Sequence, residues 1–217
     1  DPEEALHWSK IYYDTIKSDE CVPLGWNVNA NIAIVSAFSM HEDRAEAIRR
    51  GQDNFEFFRY SQQRLVAHDF VPGYSDMWSD FVAKRGDASD QLIQAALERS
   101  EYDGAGIGTP DDMLRHLKSF QDCGVDQVIM LQQAGNNSHQ NICESLELFA
   151  DSVMPEFAKD VEEREAAKAA ELAPYIEAAL ARKKYMEPLA EEDVPVVRAS
   201  VKVAGADNRP NRQDAAD

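Results

Sequence analysis

Two short stretches constrain the possible folds of this chain more tightly than anything else in it. Residues 32–38 (IAIVSAF) and residues 125–132 (VDQVIMLQ) are brief, rich in β-branched side chains, and largely apolar at positions that point to both sides of an extended backbone. A strand with water on one side alternates apolar and polar residues. A strand that is apolar on both sides belongs in a parallel sheet covered by helices. Each run leads into helical sequence. Residues 44–64 follow the first, with Ala47, Ile48, Phe55, Phe58 and Leu65 as the buried positions. Ile142, Leu146, Phe149 and Val153 recur at helical spacing after the second, up to a stop at Met154 and Pro155. Strand followed by helix, twice, is the alternation of an α/β protein.

The most sharply punctuated segment is residues 108–137. Thr109 suits an N-cap, Pro110 the first helical position, and Asp111 and Asp112 the positive end of the helix dipole. Met113, Leu114, Leu117 and Phe120 form a buried stripe, and Gly124 ends the helix as a left-handed cap does. A helix running one way and a strand returning bring Gly108 and Thr109 to the same side of the fold as Gln132 and Gln133.

Elsewhere the pattern is looser. Residues 3–17 read as a helix with Leu6, Ile11, Tyr12 and Ile16 as its stripe, ending before the CVPLG turn at residues 21–25. Residues 68–106 are irregular, with a helical patch around Leu92, Ile93, Ala96 and Leu97. Their aromatics, Phe70, Tyr74, Trp78 and Phe81, either line an apolar channel or pack as ordinary core. Residues 104–108 (GAGIG) read as a flexible turn, because no clear strand precedes them and the spacing is not that of a dinucleotide loop. From Ala158 the composition shifts to Ala, Glu, Lys and Arg in a helix interrupted by Pro174. Residues 205–217 have almost no large apolar side chain and read as disordered.

Two strands of this kind do not make a sheet, and residues 194–203 offer a third only weakly. An open parallel edge is unstable and adhesive. The simplest expectation is the C-terminal part of a larger α/β domain, its other strands supplied elsewhere. An opening at Asp1-Pro2-Glu3-Glu4, without a starting Met or a signal-peptide pattern, fits a cut through a longer protein. A formal net charge of −18 argues against a polyanionic partner such as nucleic acid. No run approaches the ~18 apolar residues of a membrane span. Cys21, Cys123 and Cys143 have no metal-ligand spacing, so no metal site is expected, and a reducing, cytoplasmic setting is.

Five stretches in order then carry a resemblance: residues 108–112 (GTPDD), 124–129 (GVDQVI), 132–136 (QQAGN), 145–150 (SLELFA) and 153–157 (VMPEF). Together they resemble the C-terminal end of the luciferase-like flavin-dependent monooxygenases, and residues 174–184 (PYIEAALARKK) look like the tail of one oxidoreductase branch of that family. The resemblance implies the C-terminal part of a (β/α)8 TIM barrel over residues 1–157, with residues 32–38 as strand seven and residues 125–132 as strand eight. Residues 158–204 would be a helical extension. It also implies reduced FMN, or alternatively the deazaflavin F420, as cofactor, a small organic substrate oxidised with oxygen, and a homo-oligomer. The family's flavin contacts come mainly from earlier strands that this sequence lacks. The N-terminal half of the same barrel is therefore an implied partner, and the chain by itself is not expected to be active.

In a barrel the reactive face is built from the C-terminal ends of the strands. Gln132, Gln133 and Asn136 are placed there as substrate-pocket residues. Helix N-termini near Thr109 and near Asn141 would aim N–H groups at the same face. Gly108 and Thr109 thus either hold the polar tail of the flavin or serve only to start a helix. His139 is the candidate catalytic residue, as a proton relay or a hydrogen-bond partner for substrate, against the plainer reading of a surface histidine. His41 has a similar position, while His7, His68 and His116 have no evident partners. The alternative to an enzyme is a non-catalytic half-barrel that acts by association.

Overall fold

The computed structural model describes residues 1–67, 70–71, 73–86, 91, 95, 106–184 and 189–193. In chain order the described elements are α1 (Pro2–Lys17), β1 (Ala33–Ala37), β2 (Ser39–Met40), α2 (Arg44–Val66), α3 (Met77–Arg85), β3 (Ile107–Gly108), α4 (Pro110–Gln121), β4 (Gln127–Leu131), α5 (His139–Ser152), α6 (Met154–Ala158), α7 (Val161–Arg182) and a 3-10 turn at Glu191–Asp193. The fold is mixed α/β, mostly helical, with a few parallel strands. No helix among the described residues is long and apolar enough to cross a membrane.

The two apolar runs pair directly and in parallel, with Ala33 opposite Gln127, Val35 opposite Ile129 and Ala37 opposite Leu131. The ladder does not stop at Ala37. Phe38 N donates to Leu131 O at 3.2 Å, then Ser39 N to Gly106 O and His41 N to Gly108 O, each at 3.2 Å. One extended segment therefore pairs with β4 along its first half and with β3 along its second. The expected flexible turn at residues 104–108 is corrected in part: Ile107 and Gly108 are a short strand. Gly106, at φ +73°, lies so close to the Ala37 carbonyl oxygen that a Cβ would collide with it, so glycine permits the strand to approach.

One sheet face is covered by α4 and α5. Phe38, Met40, Met113, Leu117 and Val153 form its core, with Val128, Met130 and Phe149 packed against them. On the opposite face α2 covers only the upper end, through Ala37, Ala47, Ile48 and Ile107. Lower on that face Val35 is 57% exposed and its neighbour Ile129 is 47% exposed. The expectation that both strand faces are buried is thus met on one face and on only half of the other. A two-stranded ladder has too few neighbours to close it.

Several faces differ from those inferred from periodicity. In α1 the buried residues are Ala5, Ser9 and Ile16, while Leu6 and Ile11 are exposed. Small residues at positions 5 and 9 let α1 lie close to Phe120, Val125 and Gly124. Leu65 and Leu146 are also exposed. In α5 the buried position is Ser145, whose hydroxyl donates to Met40 O at 2.9 Å and accepts from Met40 N at 3.1 Å, so a serine satisfies the end of β2. The interruption expected at Pro174 does not occur. α7 continues through it, because Leu172 and Ala179 on either side are buried, Leu172 against Ile16 and Ala30. The helical patch near Leu92, the weak strand at residues 194–203, the tail at residues 205–217 and His68 lie outside the described residues.

At the N-terminal ends of the strands, Asp126 gathers three segments. It accepts from Tyr13 Oη at 2.5 Å, Ile32 N at 2.8 Å and Lys168 Nζ at 2.9 Å, tying α1, the entry to β1 and α7 to the start of β4. Burial, and then the bond to Asp126, push the Tyr13 hydroxyl well above its ordinary pKa.

Candidate functional site at the C-terminal ends of the strands

Parallel pairing brings Met40, Gly108 and Leu131 to one end of the sheet, where the connections at residues 41–43, 109 and 132–138 begin. At the start of α4, Thr109 and Asp112 form a reciprocal cap. Thr109 N and Oγ1 donate to Asp112 Oδ2 at 3.0 and 2.9 Å, and Asp112 N points back to Thr109 Oγ1 at 3.4 Å. Asp112 is fully buried and also accepts from Arg44 Nε at 2.8 Å, Arg44 Nη2 at 2.5 Å and Arg115 Nη2 at 2.5 Å. Burial alone would raise its pKa, but the Arg44 bonds, the Thr109 cap and Arg115 hold it well below the usual carboxylate range. A Cβ on Gly108 would lie 2.6 Å from Asp112 Oδ2. The anion held at the N-terminus of α4 is therefore the chain's own Asp112, and both Gly108 and Thr109 are shaped around it.

The loop after β4 rests on α2. Asn136 N donates to Asn54 Oδ1 at 2.9 Å, and Asn54 Nδ2 donates to Arg50 O at 2.8 Å. Gly135, at φ +60°, is packed so that a Cβ would lie 2.5 Å from Asn54 Oδ1 and 2.8 Å from the Trp78 ring. Asn137 Nδ2 donates to Gln132 O at 3.1 Å. Of the expected pocket residues, Gln132 is 9% exposed, while Gln133 and Asn136 face solvent. The oxygens Gln132 Oε1 and Asn137 Oδ1 are buried without a hydrogen-bond partner. Nothing in the sequence marks Asn137, since one amide among several polar loop residues carries no spacing signal.

His139 is exposed at the first position of α5, which Ser138 caps by accepting from Asn141 N at 3.1 Å. Its ring meets Cys143 one turn later, with Sγ 3.5 Å from Nε2. His41 Nδ1 accepts from Asp43 N at 3.0 Å. His7 lies edge-on to the Trp8 ring. His116, for which the sequence suggests no partner, is buried with Nε2 2.8 Å from Ser36 Oγ. Ser36 Oγ also donates to Ala37 O at 2.9 Å. Burial pulls the pKa of His116 down from 6.5 to about 4.

The aromatics resolve mainly toward packing. Trp78 and Phe81 stand edge-on to Phe57 with centroids 5.0 and 5.5 Å away, whereas Tyr74 is 84% exposed. The loop after β4 thus presents neutral amides, backed by an aromatic cluster. Such a surface can orient a polar, uncharged group through hydrogen bonds. No family model matches the chain, and no curated protein matches it.

Proposed function

We propose that this chain is the C-terminal portion of a (β/α)8 barrel of the luciferase-like, flavin-dependent kind, which oxidises a small organic substrate with reduced FMN, or with F420, and oxygen. The observation that carries the reading is the half-open sheet: Val35 and Ile129 are adjacent in register, apolar and about half exposed. In a barrel these positions face inward and are covered by side chains from alternate strands. Helices cover the other face, as they would cover a barrel's outside, and the amide rim stands at the strand ends where such enzymes place their chemistry. In this reading the flavin supplies the redox chemistry. The chain supplies Gln132, Gln133 and Asn136 at the pocket wall, and about six further β/α units come from the N-terminal half of the same barrel.

A second reading, a non-catalytic half-barrel acting by association, is favoured by one specific observation. Asp112 accepts from Thr109 N and Oγ1 at the helix N-terminus where the enzyme reading would place a flavin phosphate, which favours Gly108 and Thr109 as a helix start.

Flavin titration separates the two. FMN and F420 are added to the chain alone, and to the chain with whatever polypeptide its coding sequence places ahead of Asp1, while flavin fluorescence is followed. Binding by the longer form alone supports the enzyme reading. Absence of binding by both overturns it and leaves the association module.

A further inference from the structure

The connection between α1 and β1 is apolar, exposed and held in place. Residues 21–32 (CVPLGWNVNANI) contain no charged side chain, in a chain whose formal net charge is −18. Leu24 is fully exposed, Trp26 largely so and Val22 about half. The backbone that carries them is fastened to the end of α7. Arg182 Nη2 donates to Ser18 O at 2.9 Å and to Cys21 O at 3.1 Å, and Lys183 Nζ donates to Leu24 O at 2.9 Å and to Gly25 O at 2.5 Å. Lys183 Nζ also sits 5.2 Å from the centre of the Trp26 ring. A projection already ordered in this way loses little entropy when it is bound.

Beside the projection, between this connection and α1, runs a groove of about 640 Å³ with Trp8, Ile11, Val22 and Ile32 among its apolar walls. Projection and groove lie on one surface, which is what a two-fold interface requires, since the same patch must serve both copies. The area is sufficient. At about 250 Å² for a tryptophan free of contacts, Trp8 and Trp26 together expose roughly 330 Å². Ile11, Val22 and Leu24 bring the patch to roughly 650 Å² per chain, more than the largest apolar patch of an ordinary monomer. Two such patches bury about 1,300 Å², within the range of a stable specific interface. The charges beside the patch are of both signs, Glu20 and Lys183. Two chains of this net charge repel over most of their surface, and the uncharged stretch is where they can approach.

We propose that the chain forms a two-fold dimer in which Leu24 and Trp26 of each copy seat in the groove between α1 and residues 21–32 of the other. The surface lies at the entry to β1, at the opposite end of the sheet from the loop after β4, and the proposal does not depend on the flavin reading.

Sedimentation equilibrium of the full 217-residue chain tests it, with acrylamide quenching of tryptophan fluorescence over the same concentrations. The expected result is a concentration-dependent rise from 24.3 kDa to twice that mass, with quenching falling as the dimer forms. Added salt should strengthen the association by screening the repulsion between the chains. Leu24→Glu, a change at a fully exposed position, should leave the fold intact and weaken dimerisation at least about tenfold, because a charge then enters an apolar groove twice per dimer. Val66→Glu, equally exposed but at the end of α2, should leave dimerisation unchanged. A dimer indifferent to Leu24→Glu would place the interface elsewhere and overturn the proposal. A persistent monomer would also overturn it: with the tryptophans protected, the chain's own C-terminal residues fill the groove, and with them open to quenching, the groove belongs to a different protein.

Discussion

Arg44, the first residue of α2, grips Asp112, the third residue of α4, with two guanidinium nitrogens at 2.8 and 2.5 Å. The two helices start at the same end of the sheet, so one buried carboxylate fixes the mutual position of both. Only the carboxylate of this pair is buried, since Arg44 is a third exposed. Asp112→Ala is therefore expected to destabilise the chain by about 1–3 kcal/mol, through loss of the helix cap and of the charged hydrogen bonds. Arg44→Met strands the buried carboxylate with only the exposed Arg115 and should cost at least as much. Urea denaturation of both variants and of the double variant measures the coupling, and additive losses would show that Arg44 and Asp112 do not act as a pair.

His116 gives stability a defined pH dependence. Its folded-state pKa is about 4 against an ordinary 6.5, so the folded state binds the proton less readily than the unfolded one. The contribution of His116 is full above pH 6.5 and is lost as pH drops from 6.5 to about 4, at a rate of up to about 1.4 kcal/mol per pH unit. Asp112 acts lower: its depressed pKa withdraws stability only as pH falls below the ordinary carboxylate value of 3.8. In His116→Gln the upper part of the acid transition should flatten while the lower part stays. Denaturation midpoints taken across that range would show it.

Gly135→Ala tests the rim without removing a polar group. The left-handed backbone and the approach to Asn54 and Trp78 both resist a methyl group. A loss of about 1–2 kcal/mol is expected for a strained non-glycine residue. The side-chain signals of Asn54 and Trp78 should move in NMR spectra, whereas unchanged signals would mean that the loop does not rest on α2.

Val35→Thr distinguishes the chain alone from a completed barrel. In the chain alone the side chain is 57% exposed, and the substitution should change stability by less than about 0.5 kcal/mol. Once further strands cover the face, the same change buries a hydroxyl and should cost about 1–3 kcal/mol. Equal effects in the two forms would mean that nothing covers this face.

Pro174 is exposed within α7, where it removes one backbone hydrogen bond. Pro174→Ala should raise the melting temperature, since proline in a helix interior costs up to about 3 kcal/mol relative to alanine. No change, or a fall, would show that a kink at this position aids the packing of Leu172.

What the sequence makes legible is local. The strand runs, the Thr109 cap with its aspartates, and the stop at Gly124 can all be read within a window of a few residues, and all are present. What it hides depends on partners far along the chain. Asp112 reads as a dipole residue until Arg44, 68 positions away, is placed beside it. His116 has no evident role until Ser36 is brought to it, and the two-residue β3 exists only because β2 runs past it. In α1 most of the large apolar residues are not the buried ones, because close packing there requires Ala5 and Ser9, and periodicity in hydrophobicity does not register small side chains. Among the rim residues, the order along the strand places Gln132 correctly near the end of β4, but it gives no sign of the orphaned oxygen of Asn137.

The bond from Ile32 N to Asp126 spans 94 residues. On an emerging polypeptide, β1 has no ladder partner until β4 has followed it out, and closing so long a loop costs entropy before any hydrogen bond rewards it. The segment α4–β4–α5 can organise through near neighbours while it waits. Pairing of β1 with β4 brings together segments far apart in the chain, and Asp126 joins Tyr13, Ile32 and Lys168 where they meet. Until that pairing forms, the apolar run at residues 32–38 is the part of the nascent chain most in need of protection from other strands.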